Sequence, residues 1–233
     1  METAYVLHRR RYRETSLIVE LLGRERGRFA AVARGALRRK SQLAGVLQPL
    51  VPLAVDTRGR GELLTLTHAE PLGPALDAQG ERLYAVFYVN ELLLRLTAAH
   101  DPPGELFDAY RATLAALAGE APLEPLLRHF ELALLEATGL GLDLTSEAAT
   151  RAPIEPEREY LYVVDEGALA DGRGRHGCPV HGTTLIALAA GNALEHTAAR
   201  EAKRLMRYVV NHHLDGRPLA SRELFAAGRS QRT

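Results

Sequence analysis

Hydrophobic patterning divides the chain into two textures. Up to residue 70, apolar and polar positions alternate in short runs bounded by glycine. Segments 3–9 (TAYVLHR), 15–22 (TSLIVELL), 28–34 (RFAAVAR), 50–56 (LVPLAVD) and 62–70 (ELLTLTHAE) predict five β-strands. Gly23 and Gly27 bracket a charged hairpin tip, Gly35 ends the third strand, and Gly59 with Gly61 sit in the turn DTRGRGE. Five short strands predict a small barrel, and the OB-fold is the commonest barrel of that strand count that binds nucleic acid; a small sandwich gives a similar pattern.

After Pro71 and Pro74 the apolar spacing lengthens to three and four. Segments 81–100, 104–120 and 123–139 predict three helices in a bundle, separated by the breakers PPG and AP and closed by Gly139 and Gly141. The segment from 145 to 182 reads as irregular, with one strand at 159–164 (EYLYVV) and the glycine-rich stretch DGRGRHGCPVHG. A long amphipathic helix is expected over 194–213. Ala198, Ala202, Leu205, Met206 and Val209 line its apolar side, and Arg200, Lys203, Arg204 and Arg207 line a basic stripe. The expected class is α+β: a five-stranded barrel domain over 1–78, then a helical domain over 79–233 carrying a small irregular insertion at about 145–182.

Charge sharpens this division. The formal net charge is +0, yet residues 1–70 carry 13 basic and 7 acidic side chains, residues 71–150 carry 4 and 12, and residues 151–233 carry 12 and 10. The neutral total conceals a positive barrel and a negative middle. Only Lys40 and Lys203 are lysines, a bias that a GC-rich genome also produces. The placement of positive charge is therefore informative and the preference for arginine is not.

Within the barrel segment, Arg9, Arg10, Arg11 and Arg13 fall in the first connection. Arg24, Arg26 and Arg28 surround the second, and Arg34, Arg38, Arg39 and Lys40 follow the third strand. Such concentration suits phosphate backbones, because each neutralised phosphate releases condensed counterions. Tyr12 and Phe29 are candidates to stack bases within the same surface. The competing reading is a solvated charged rim around core aromatics.

Elsewhere, His176, Cys178 and His181 in RHGCPVHG carry metal-competent atoms at i, i+2 and i+5, without the paired C-x-x-C knuckles of structural zinc sites; an unconnected surface loop is the preferred reading. The phosphate-loop, nucleophile-elbow, zincin and dinucleotide fingerprints are missing, and no catalytic residue is assigned. Glu124, Glu131 and Glu136 read as the solvated face of a helix. One cysteine excludes an internal disulfide framework. The polar start METAYVLHRRR and the interrupted apolar runs predict a cytoplasmic protein without membrane association.

The blocks ETSLIVELL, GRFAAVARGALRRKSQLAGVLQPLVPL, FELALLEATGLGLDL and LDGRPLASREL, in that order, closely resemble the successive signature blocks of the RecO family of bacterial recombination mediators; the resemblance runs from about residue 3 to 225. It implies an amino-terminal OB-fold, a helical domain and, in many members, a zinc-binding insertion. It also implies a nonenzymatic protein that binds single- and double-stranded DNA and anneals complementary strands. With RecR, such a protein helps to place RecA on DNA coated by single-stranded DNA-binding protein (SSB). By the same resemblance, Arg128 and the stripe Arg200, Lys203, Arg204 and Arg207 are candidates to receive the acidic, apolar SSB tail; a solvated helix face is the competing reading of the stripe. The positions corresponding to the C-x-x-C…C-x-x-C knuckles hold Glu147, Thr150, Asp171 and Gly174, so no zinc is expected here unless His176, Cys178 and His181 substitute. Two other classes suit the residues alone: an OB-fold RNA-binding protein, or a metal-dependent hydrolase built on those three residues.

Overall fold

The computed structural model describes residues 1–101 and 104–230. Five strands, β1 (Glu2–Tyr12), β2 (Ser16–Gly23), β3 (Gly27–Ala33), β4 (Leu53–Arg58) and β5 (Leu63–Pro71), close into a barrel of order β1-β2-β3-β5-β4. All pairings are antiparallel except β3 with β5, and β1 pairs with β4 to shut the cylinder. Alternation sets the inner face: Ala4, Val6, Leu17, Val19, Leu21, Phe29, Ala31, Ala33, Leu53, Val55, Leu64 and Leu66 form one buried cluster. Ala36, Leu47 and Val51, flanking the short helix α1 (Leu43–Val46), complete that cluster. Gly23 is required where β2 ends, because a Cβ there would collide with the Glu2 carboxylate and the Phe29 ring.

The barrel's outer face is not all solvent. Tyr5 and Leu7, on β1, are 4% exposed because α2 (Glu81–Leu96) and α3 (Gly104–Leu117) cover them. Tyr5 packs edge-on against Tyr110 (5.5 Å between centroids) and beside Phe107 (5.9 Å). Asn90 donates from Nδ2 to the Leu7 carbonyl at 3.0 Å and accepts from the Tyr110 hydroxyl at 2.8 Å. Burial pushes the Tyr110 phenol well above its ordinary range, so it stays a neutral donor. The helix expected to reach residue 100 stops at Leu96: Thr97 is extended, and Ala99 and His100 pair with Arg28 instead.

A helix not expected from the sequence, α7 (Ala220–Ser230), packs on α2, and Glu91 receives the Ala220 and Ser221 amides at 3.0 and 2.9 Å. The barrel, α2, α3 and α7 form one compact unit, residues 1–120 with 219–233; residues 121–218 form the other. The division expected at 78/79 marks where strand gives way to helix, whereas compactness divides the chain after Glu120.

In the second unit, α4 (Leu123–Ala137) buries Leu127, Phe130, Leu134 and Leu135 and packs with α6 (His196–His213), which buries Ala202, Leu205, Met206 and Val209. The expected bundle of three consecutive helices is therefore corrected: α2 pairs with α3 in one unit and α4 with α6 in the other. The expected irregular insertion is also corrected. It contains β6 (Glu159–Val163) between β7 (Gly167–Leu169) and β8 (Cys178–His181), followed directly by α5 (Gly182–Ala189). Tyr160, Tyr162, Ala168 and Val180 give this small sheet its buried side.

Candidate nucleic-acid interface

The arginines of the barrel sort into two groups according to what faces them. Those at the β2–β3 hairpin are occupied within their own compact unit. Arg24 makes a bidentate pair with Asp108 of α3, both bonds 2.8 Å. Arg26 pairs with the buried Glu2 at 2.6 Å and donates to the Thr57 hydroxyl at 2.6 Å. Arg28 donates to the carbonyl and hydroxyl of Thr97 at 3.0 and 3.2 Å and lies 3.4 Å from Glu20. Arg9 behaves alike, donating to the carbonyls of Ala44 and Leu47 at 2.7 and 3.2 Å at the end of α1. These four tie secondary elements together, a structural use that the sequence expectation of phosphate contacts did not anticipate. Phe29 is corrected more strongly: at 1% exposure inside the barrel it cannot stack a base.

The other group is exposed. Arg10, Arg11, Arg13, Arg34, Arg38, Arg39 and Lys40 carry no carboxylate partner among the described residues. Arg13, Arg34 and Arg38 line a cleft of about 690 Å³ together with Tyr12, Glu14, Thr15, Ser16, Val32, Gly35, Leu63, Leu64 and Thr65. The segment after β3 is rigidly held although its charges are not neutralised. The Leu37 amide donates to the Thr15 carbonyl at 2.9 Å, Gly35 takes a left-handed turn at φ +68°, and Ala36 is buried at 1% exposure. The run R-G-A-L-R-R-K thus alternates anchoring residues with exposed cations. Tyr12 is half-buried, and the Arg13 guanidinium lies 5.2 Å from its ring centroid.

Sequence reasoning missed three exposed residues beside this surface. Arg58 ends β4 and Arg60 stands on the β4–β5 turn, where it lines a second cleft of about 450 Å³ with Arg26 and His100. Leu63, at 44% exposure, opens β5. The D-T-R-G-R-G-E spacing signals a cationic turn; nothing local signals Leu63, whose position depends on the parallel pairing of β5 with β3.

In the second unit, Arg128 is 6% exposed and neutralised by Glu131 at 2.5 Å, with Glu124 at 3.9 Å. It lines a narrow groove with His129, Leu132, Leu188 and Leu194, but as a buried ion pair and not as an open cation. The α6 stripe is likewise partly engaged. Lys203 pairs with Glu124 at 2.6 Å, Arg204 donates to the Pro179 carbonyl at 2.5 Å, and Arg200 reaches the His196 carbonyl at 3.4 Å, while Arg207 is exposed with no partner among the described residues.

The three metal candidates are not brought together. Cys178 and His181 are three residues apart in β8, so the pleat sends the thiol to the buried side and the imidazole outward; His176 precedes the strand. His181 Nδ1 lies 2.7 Å from Glu201, whose other oxygen receives the Thr184 hydroxyl at 2.7 Å. Among the described residues no group of three His, Cys, Asp or Glu side chains is placed to hold a metal. The knuckle positions do not fit zinc either. Threonine and glycine supply no thiolate, and the Glu147 carboxylate is filled by the Thr150 amide and hydroxyl (both 2.6 Å) and the Ala170 amide (3.2 Å). Those bonds, the Thr150 hydroxyl foremost, hold Glu147 below the usual carboxylate range.

A closed five-stranded barrel in this order defines an OB-fold protein, here with exposed cations around one cleft. Residues 1–75 match the family model described as recombination protein O N terminal, and residues 78–223 match its C-terminal counterpart. The chain belongs to the RecO family, whose role lies in DNA repair and recombination. It is 49% identical over 225 residues to the DNA repair protein RecO of Methylococcus capsulatus, covering 97% of this chain and 92% of that protein. It is 44% identical to the same protein of Halorhodospira halophila (96% and 95% covered), and 40% identical to that of Vibrio vulnificus (100% and 96% covered). No helix among the described residues is long and apolar enough to cross a membrane.

Proposed function

We propose that this chain is a cytoplasmic, nucleoid-associated recombination mediator that binds single- and double-stranded DNA on its barrel and anneals complementary strands. With RecR, it helps RecA to load onto SSB-coated DNA. The observation that carries this reading is the contrast within the barrel: Arg34, Arg38, Arg39 and Lys40 stand exposed on a fixed backbone while Arg9, Arg24, Arg26 and Arg28 are consumed by internal partners. Cations held in place without counter-charges suit a polyanion, and binding releases the counterions condensed on it. Annealing requires no group that makes or breaks covalent bonds. A surface that neutralises phosphates on two strands lowers their repulsion, and base pairing supplies the driving force.

Contact with SSB is assigned to the second unit, where the groove beside Arg128 offers apolar walls and Arg200 and Arg207 supply positive charge on α6. The buried pairing of Arg128 with Glu131 makes it a support of that groove more than a direct partner of an acidic tail. The test is annealing of complementary oligonucleotides coated with the cognate SSB. Acceleration over SSB-coated strands alone is expected. Failure to accelerate, joined to tighter binding of RNA than of matched DNA, would replace this reading with an RNA-binding one.

A further inference from the structure

The connection from β3 to β4 spans residues 34–52 and carries Arg34, Arg38, Arg39 and Lys40 in its first part. A stretch of that length without strand pairing is ordinarily loose, because few of its residues are held by regular hydrogen bonds. This one is anchored on both sides of its cations. Ahead of them Ala36 is buried and the Leu37 amide donates to the Thr15 carbonyl at 2.9 Å; beyond them Leu47 and Val51 enter the barrel core. Residues 38–46 are all exposed or half-buried, and the helix among them, α1, has 4 residues, too few to be stable through its own hydrogen bonds.

Side chains supply what α1 lacks. Arg9 Nη1 donates to the Ala44 and Leu47 carbonyls at 2.7 and 3.2 Å, and Gln48 Nε2 donates to the same Ala44 carbonyl at 2.9 Å. The last carbonyls of a helix have no partner within it, and a cation beside them also meets the negative end of the helix dipole. Arg9 stands on β1 opposite Val19 of β2, so the barrel itself fixes the backbone that presents it. One guanidinium therefore ties the far side of the cationic segment to the β1–β2 arm, which carries Arg10, Arg11 and Arg13.

We infer that Arg9 is a positioning residue of the polyanion surface: through α1 it fixes the cations that follow β3 relative to those of the β1–β2 arm, without itself meeting a phosphate. Cations held in place beforehand lose less conformational freedom when a phosphate chain binds, so order in the free protein adds affinity without adding contacts. A freed segment keeps its charges and still reaches the phosphates, but it must be ordered on binding. Affinity then falls, while the number of phosphates neutralised, and with it the salt slope, stays the same. This inference rests on the DNA-binding reading above and goes beyond it by naming what holds the surface ready.

The chain has two lysines, Lys40 within the segment and Lys203 on α6, so a lysine-specific protease acting on the native full-length protein reads local order and global folding separately. Arg9→Met keeps an unbranched stem and removes the donor. It should speed cleavage after Lys40 about tenfold, leave cleavage after Lys203 at the parent rate, and weaken binding of a labelled oligothymidylate and of a duplex about tenfold each, with the parent's salt slope. Gln48→Ala changes no charge and loosens the same carbonyl, so it should act in the same directions by about threefold. A single-strand slope shallower by about 0.7 with cleavage after Lys40 unchanged would make Arg9 a phosphate contact and overturn the positioning role. Faster cleavage after Lys40 with undiminished affinity would overturn it too, as would equal acceleration at both lysines in both variants, the mark of a general loss of stability. A parent protein that binds neither DNA form in a salt-dependent manner would overturn the DNA-binding reading and the positioning role with it; the response of Lys40 to Arg9→Met would distinguish that failure from the absence of the tether.

Discussion

The β2–β3 hairpin and the segment that follows β3 carry the same residue type at similar density and have opposite fates. At the hairpin, Arg24, Arg26 and Arg28 meet Asp108, Glu2, Glu20 and the carbonyl of Thr97. After β3, Arg34, Arg38, Arg39 and Lys40 meet no carboxylate among the described residues. The difference arises from neighbours and not from the arginines themselves. β1, β2 and α3 bring acids to the hairpin and the residue after α2 brings a carbonyl, whereas the segment after β3 packs only apolar anchors such as Ala36 and leaves its charges facing water. A cluster of arginines in a sequence is therefore a site only where the fold leaves it unpaid.

Reversing the second group should give the largest effect. Binding of the parent to a single strand should follow a log-log salt slope of about −3 to −5 if some four to six phosphates are neutralised. Arg34→Glu, Arg38→Glu and Arg39→Glu together should lower affinity at low salt by about two orders of magnitude and make that slope shallower by about 2, with the melting temperature unchanged. An unaltered slope would move the binding surface away from β3, most directly to α6.

The reciprocal change separates the groups from the other side. Arg26→Ala strands the Glu2 carboxylate, whose side chain is 2% exposed, and should cost about 2 kcal/mol in denaturant unfolding. The figure is below the full cost of an orphaned buried charge because Arg26 is itself 39% exposed, so water reaches the site. The salt slope for DNA should stay that of the parent. A flatter slope with intact stability would make Arg26 a phosphate contact after all.

A smaller effect is expected in the second unit, where the Glu147 carboxylate joins Thr150 to Ala170. Glu147→Gln weakens the bonds from Thr150 and Ala170 and should lower the melting temperature by about 3 °C. A chelator should change neither melting nor DNA binding. Near-stoichiometric zinc in purified protein, lost together with stability on Cys178→Ser, would reverse this expectation.

The smallest effect is a pH dependence. Glu201 holds the His181 imidazole above its ordinary value through a hydrogen bond and charge attraction; burial opposes ionisation of Glu201, but its bonds from Thr184 and His181 outweigh it and keep it below the usual carboxylate range. A raised histidine contributes stability fully below about pH 6.5 and loses it as pH rises through the higher folded value. Since His181 is half-exposed, the melting temperature should fall by only about a degree across that window, and Glu201→Gln should flatten the profile.

Much of this was legible in the residues. Alternation located all five barrel strands to within a few positions, since an inner face that must stay dry marks every second residue, and the three- and four-residue spacings found α2, α3, α4 and α6. The insertion was misjudged because β7 and β8 have 3 and 4 residues, too few for a period to show. Reading 178–181 as a loop also hid the pleat that turns Cys178 inward and His181 outward. The fate of each arginine was not legible. Arg24 finds its carboxylate 84 residues away, Arg28 its carbonyl 69 residues away, and Arg9 its carbonyl 35 residues away, and no local pattern encodes such distances.

By itself the sequence determined the barrel's strands, the positive charge of the barrel segment and, through four ordered blocks, the family. Each is a local or summed property, set by neighbouring residues or by composition. Only the tertiary structure decided which cations are spent and which stand open, that Phe29 is core while Tyr12 borders a cleft, and that Leu63 joins that cleft. Those outcomes depend on which surfaces meet when the chain closes: a charge is neutralised, or a ring buried, by whatever distant segment packs against it.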